Sequence, residues 1–130
     1  MLLYLDTSAL AKLVVAEPET DALMAELRDA DVVTSALART ELRRAVLRVG
    51  DIALDKRTAA VLASVDQLVI DDEVLDRAAG LPPPSMRSLD ALHVASAVGI
   101  GDRLDGLVTY DQRMATAASA LGVRVLSPGS

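Results

Sequence analysis

Four acidic residues are placed to act together: Asp6, Glu41, Asp90 and Asp111. Each lies beyond a short run of β-type residues: Asp6 and Asp111 almost directly, Glu41 in the helix that follows, and Asp90 in a helix reached after a further short helix and the proline loop. Carboxylates crowded into one cleft repel each other and raise each other's pKa. A hard divalent cation removes the repulsion. Mg²⁺ takes oxygen ligands and binds through a few carboxylates, waters and a substrate phosphate. It polarises a phosphoryl oxygen and lowers the pKa of a bound water, so that hydroxide can attack in line. A second metal arriving with substrate would stabilise the leaving oxygen. This chemistry needs neither Cys nor a cluster of His, and the chain has no Cys and one His. Thr7, Ser8 and Thr109 add hydroxyls near the same positions. They suit orienting a water or a phosphate, and equally capping a helix or ending a strand.

Taken singly, three of the acids have a plain structural reading. Asp6 suits the cap of a helix beginning near Ser8, and Asp111 that of one beginning at Gln112. Asp90 suits the positive end of its own helix dipole. Glu41 fits this reading poorly. It sits beside an apolar stripe of Ala38, Leu42, Ala45, Val46 and Val49, and a carboxylate facing a core needs a partner. An ion pair with a nearby Arg is the ordinary alternative. His93, three residues after Asp90 on a helix that is apolar nearly all round, reads better as a hydrogen-bonded core histidine than as a catalytic base.

Short apolar runs and helical segments alternate along the chain. Strands are expected at Leu2–Leu5, Asp31–Ser35, Gln67–Ile70, Leu107–Thr109 and Val123–Leu126. The runs are continuous rather than alternating, which suits strands buried on both faces. Helices are expected over 8–15, 19–29, 37–49, 51–63, 72–80, 88–100 and 112–121. Gly50 and Gly80 mark helix ends, Gly122 precedes the last strand, and Ser88 can cap the helix it opens. Pro82-Pro83-Pro84 marks a loop. The pattern is α/β: one domain, a mostly parallel sheet and helices on both faces. Sites in such sheets form at the carboxyl ends of the strands, where all four acids fall.

Composition narrows the function classes. The 130 residues suit one domain over 1–130, and 52% are hydrophobic. Net charge is −6, which excludes binding nucleic acid through bulk positive charge. Aromatics are 2%, with no Phe or Trp, so base-stacking modules are unfavoured. Absence of Cys excludes disulfides, thiolate zinc sites and cysteine nucleophiles, and agrees with a cytoplasmic protein. The N-terminus lacks a basic region and Asp6 and Lys12 interrupt it, so no signal peptide or membrane span is expected. Arg39, Arg43, Arg44 and Arg48 form a local basic face for RNA phosphates or an acidic partner, or else a solvated face near Glu26 or Asp29. Lys12 and Arg87 lie close to the cleft in sequence. Leu10, Leu13, Val14 and Leu23 suit burial against the sheet or an apolar surface for a partner.

These residues resemble a known family. Leu5-Asp6-Thr7-Ser8-Ala9-Leu10 looks like the opening motif of PIN-domain nucleases. Thr40-Glu41-Leu42 resembles their second acid, and Leu89-Asp90-Ala91-Leu92-His93-Val94-Ala95-Ser96-Ala97 their third. Val108-Thr109-Tyr110-Asp111, followed by Ala118 and Gly122, resembles the fourth. The likeness runs through essentially the whole chain, in order and with the family's spacing. The wording and compact size look like the VapC toxins of bacterial toxin–antitoxin pairs. The resemblance implies a five-stranded parallel sheet and a Mg²⁺-dependent endoribonuclease, with Mn²⁺ able to substitute. It implies a structured RNA substrate such as tRNA or rRNA, inhibition of translation, and products with 5′-phosphate and 3′-hydroxyl ends. It also implies a homodimer and a cognate antitoxin whose C-terminal segment enters the groove. The metal ligands would be Asp6, Glu41, Asp90 and Asp111, with Ser8 and Thr109 in support. The fourth acid varies in the family, which makes Asp111 the least secure.

Other classes fit less well. A phosphatase with an aspartyl nucleophile needs a second Asp two residues on, where Ser8 stands. A receiver domain has a possible acceptor in Asp71 or Asp72 but needs a later Lys, and none follows Lys56. A non-catalytic partner-binding module remains the alternative, with the acids as caps and surface charges.

Overall fold

A computed structural model describes residues 1–130. Five strands form one parallel sheet in the order β3-β2-β1-β4-β5. They are β1 (Leu2–Leu5), β2 (Asp31–Ser35), β3 (Asp66–Leu68), β4 (Gly106–Val108) and β5 (Val125–Leu126). The helices are α1 (Thr7–Val14), α2 (Thr20–Leu27), α3 (Leu37–Val49), α4 (Ile52–Ala63), α5 (Asp72–Ala79), α6 (Ser88–Ile100) and α7 (Gln112–Ala120). A short 3₁₀ turn, Gly101–Arg103, follows α6. No helix is long and apolar enough to cross a membrane.

β1 lies at the centre because its side chains are buried on both faces. Leu3 and Leu5 point into one core with Leu10, Val14, Leu23, Leu42 and Leu62, which places α1–α4 on that side. Tyr4 points into the other, with Val94, Leu107, Met114 and Ala118 from α6, β4 and α7. Leu10, Val14 and Leu23 are thus core, and Leu13 packs against it. Complete burial of each such side chain contributes about 1.5–3 kcal/mol.

The edges differ from the sequence reading. β3 is shorter than expected: Val69 and Ile70 lie beyond it and Val69 is 71% exposed. β5 is also short. Each edge strand has one neighbour, so neither is buried like β1. Val49 is not on the buried stripe of α3 but 64% exposed at its last turn. Arg87, not Ser88, is the N-cap of α6, with no side-chain capping bond.

The strand order also fixes the site. The chain runs outward from β1 through β2 to β3, then returns to lay β4 on the other side of β1. The reversal lies between β1 and β4. In open parallel sheets the crevice beyond the carboxyl ends at such a switch point is where ligands bind.

Candidate active site

Asp6 leaves β1 at that crevice and is 2% exposed. Its Oδ1 accepts from the Ala9 amide at 3.0 Å, capping α1, and from Ser8 Oγ at 2.7 Å. Its Oδ2 accepts from Thr109 Oγ1, just past β4, at 2.6 Å. Burial raises its pKa above the usual Asp value despite these donors. Helix cap and candidate ligand are therefore one residue. Ser8 also accepts from the Tyr110 amide at 2.9 Å, and Thr109 from the Asp111 amide at 3.1 Å. The hydroxyls of Ser8 and Thr109 thus tie the two strand ends together around Asp6.

Glu41 reaches the same edge from the first turns of α3. Its partner is not an arginine. His93 Nε2 lies 2.6 Å from Glu41 Oε1, and Thr7 Oγ1 donates to that oxygen, also at 2.6 Å. Burial pushes the carboxyl up, but the hydrogen bonds from His93 and Thr7 outweigh it, and the pKa is lowered. His93 is buried and hydrogen-bonded, as the apolar helix implied, yet it belongs to the site. Its Nδ1 meets the Tyr4 hydroxyl at 2.8 Å. α3 and α6 pack on opposite faces of the sheet, so this chain of contacts joins both helical layers across the end of β1. A helical wheel shows that His93 is enclosed but not which element it meets. A lone buried His and an inward Glu with no obvious partner were the available signals.

Asp90 lies in the first turn of α6 with no hydrogen bond to its carboxylate, and Asp111 caps α7 through the amides of Arg113 and Met114. Partial burial and the nearby negative charge of Asp111 raise the Asp90 pKa. Asp90 also forms part of the wall of a cavity of about 800 Å³ between the proline loop and α7. Met86, Met114 and Ala117 give it an apolar lining, and Arg87 and Arg113 add positive charge. Lys12 is engaged elsewhere, bridging Glu17 and Glu19 at 3.1 Å each. Arg39, Arg43, Arg44 and Arg48 are exposed and make no salt bridge, with Glu26 and Asp29 or otherwise.

The four acids lie along one edge, but no three Asp, Glu or His side chains are grouped closely enough to hold one ion between them. The donor set still suits a hard cation. All four are carboxylates, Oε2 of Glu41 accepts no hydrogen bond, and Asp90 has no partner. Mg²⁺ binds through one or two carboxylates while keeping several waters, so it does not need a closed protein cage.

A PIN-domain family model matches residues 3–120. Among curated proteins, Ribonuclease VapC46 of Mycobacterium tuberculosis is 49% identical, covering 97% of each chain. Ribonuclease VapC35 of the same species is 44% identical, covering 98% of each. Among solved structures, VapBC2 of Rickettsia felis, bound to a promoter DNA fragment, superposes with a TM-score of 0.74 at 13% identity, covering 97% of this chain and 98% of that one. The Sarcin-Ricin loop cleaving toxin VapC20 of M. tuberculosis gives a TM-score of 0.73 at 18% identity, covering 97% and 99%. The parallel five-stranded fold expected from the motifs is the fold of these structures. With the family model spanning both strands that flank the crevice and relatives alike over nearly their full length, the chain belongs to the PIN-domain family.

Proposed function

We propose that the chain is a metal-dependent endoribonuclease of the VapC toxin type, cutting phosphodiester bonds in structured RNA such as tRNA or rRNA and so stopping translation. The observation that carries this reading is the buried, thrice-bonded Asp6 at the switch point, with Glu41, Asp90 and Asp111 along the same edge. Full-length similarity to proteins named as ribonucleases supports it.

In this reading Asp6, Glu41, Asp90 and Asp111 would hold Mg²⁺, or Mn²⁺ in its place, one or two directly and the others through its waters. The cation supplies charge stabilisation for the phosphate and a water acidic enough to act as nucleophile near neutral pH. The protein supplies position. Ser8 and Thr109 keep Asp6 from turning away, and Arg87 and Arg113 offer phosphate contacts beside Asp90. The reading includes a cognate antitoxin, a homodimer and a cytoplasmic location. Leu47, Val49 and Ile52 at the α3–α4 corner are 68%, 64% and 77% exposed, which supplies apolar surface for such contacts.

The test is cleavage of total cellular RNA by purified protein, in Mg²⁺ and in EDTA, beside Asp6→Asn and Asp90→Asn. Fragments should require Mg²⁺ and should fall at least about 100-fold in either variant, the scale of losing a positioned catalytic group. Full activity in either variant would sink the assignment.

A further inference from the structure

We infer that His93 is a positioning residue that fixes one oxygen of Glu41 and thereby presents the other to the cleft. The inference rests on the metal-dependent reading and adds a residue outside the four acids.

With a neutral imidazole, the Glu41 contact sets the direction of each hydrogen bond. An ionised carboxylate has no proton to give, so at the 2.6 Å contact His93 Nε2 must carry the hydrogen and donate to Glu41 Oε1. Thr7 Oγ1 donates to the same atom. In the neutral ring Nδ1 is then an acceptor, and the Tyr4 hydroxyl donates to it at 2.8 Å. Tyr4 is fully buried and keeps its proton. Its ring meets the imidazole edge-on, with centroids 5.9 Å apart and planes at 77°. The relay therefore runs Tyr4 to His93 to Glu41, from β1 through α6 to α3.

Glu41 Oε1 receives two donors and Oε2 none. The side chain of Glu41 is 22% exposed and that of His93 is 2% exposed. The carboxylate is thus gripped at its inner oxygen and open at its outer one. An apolar residue in place of His93 could fill the space but would leave both Tyr4 and Glu41 short of a partner. Groups that orient a metal-binding carboxylate in this way typically matter about 10–100-fold in metal affinity.

His93 is the only histidine, so its ring signals need no assignment. The experiment is a long-range ¹H–¹⁵N spectrum of that ring, joined to calorimetric Mn²⁺ titration at one pH. The titrated proteins are the wild type, His93→Leu, His93→Gln, Asp6→Asn and Glu41→Gln. The wild-type ring should show the Nε2–H tautomer, and Tyr4→Phe should admit the other form. His93→Leu should weaken Mn²⁺ binding about 10–100-fold. His93→Gln, whose amide carries an N–H donor, should recover most of that loss. If His93→Leu fails to fold, the spectrum and His93→Gln decide. An Nδ1–H ring in the wild type, or Mn²⁺ binding by His93→Leu equal to wild type, would overturn the inference. Loss of binding in Asp6→Asn and Glu41→Gln alone would leave the metal reading standing without it. No Mn²⁺ binding by the wild type would overturn both.

Discussion

Asp6 shows what the site costs the fold. Its carboxylate is buried, and its pKa is raised in the native state above the usual Asp value. The native state therefore holds the proton more tightly than the unfolded chain. Stability falls as pH rises from the ordinary Asp value through the raised native value, and above that window the penalty is complete. Asp6→Asn keeps an oxygen for the α1 cap and removes the charge. The metal-free variant should thus melt a few degrees above wild type at pH 7, on the scale of about 3–5 °C per kcal/mol. The difference should vanish below the ordinary Asp pKa. Calorimetric scans in EDTA at both pH values check this, and a variant less stable at pH 7 would refute it. The positions of the acids were legible because Asp6 and Asp111 come just after strands, Glu41 lies early in the helix after β2, and Asp90 lies in the first turn of α6, beyond α5 and the proline loop. The partner of Glu41 was not, because a sequence fixes which face of α3 it occupies but not which residue of α6 crosses the sheet edge to meet it.

The helices carry the same logic. α3 holds Glu41 in place through Ala38, Leu42 and Val46, all buried, while Val49 at its last turn is exposed. Leu42→Ala should cost about 2–5 kcal/mol by leaving a cavity, and Val49→Ala within about 0.5 kcal/mol. Denaturant unfolding of both variants tests the difference, and equal losses would contradict the packing. Strands β1 and β2 and helices α3 and α6 end where their apolar runs and bounding Gly residues place them. β3 ends early because Val69 and Ile70 continue past the last residue of β2 that pairs with it, and β5 starts late because Val123 and Arg124 precede the residues paired with β4. Arg87 at the start of α6 shows the same limit: Ser88 has the better capping side chain, but the backbone turns one residue earlier.

At the scale of the molecule, a net charge of −6 coexists with local positive ground. Arg87 and Arg113 border the cavity beside Asp90, whereas Arg43 and Arg44 line a separate groove with Asp55 and Thr58. RNA binding by the Asp6→Asn protein should show which set meets phosphate. Removing Arg87 and Arg113 together should reduce the slope of log affinity against log salt by about 1.4, at about 0.7 per single-strand contact. Removing Arg43 and Arg44 should leave it unchanged. Fluorescence anisotropy across a salt series distinguishes the two, and the reverse result would move the RNA to the other groove. The placement of helices on two faces followed from strand–helix alternation. The side of β1 taken by β4 did not, since each short strand is apolar enough to pair on either side. The bond from Thr109 to Asp6 spans 103 residues, and it has a consequence in time. Ribosomes add about 5–20 residues per second, so roughly 5–20 s separate the synthesis of the acid from that of the hydroxyl that holds it. Until then the emerging polypeptide carries Asp6 without the strand that closes the crevice. The crevice around Asp6 is therefore complete only after translation has passed Thr109.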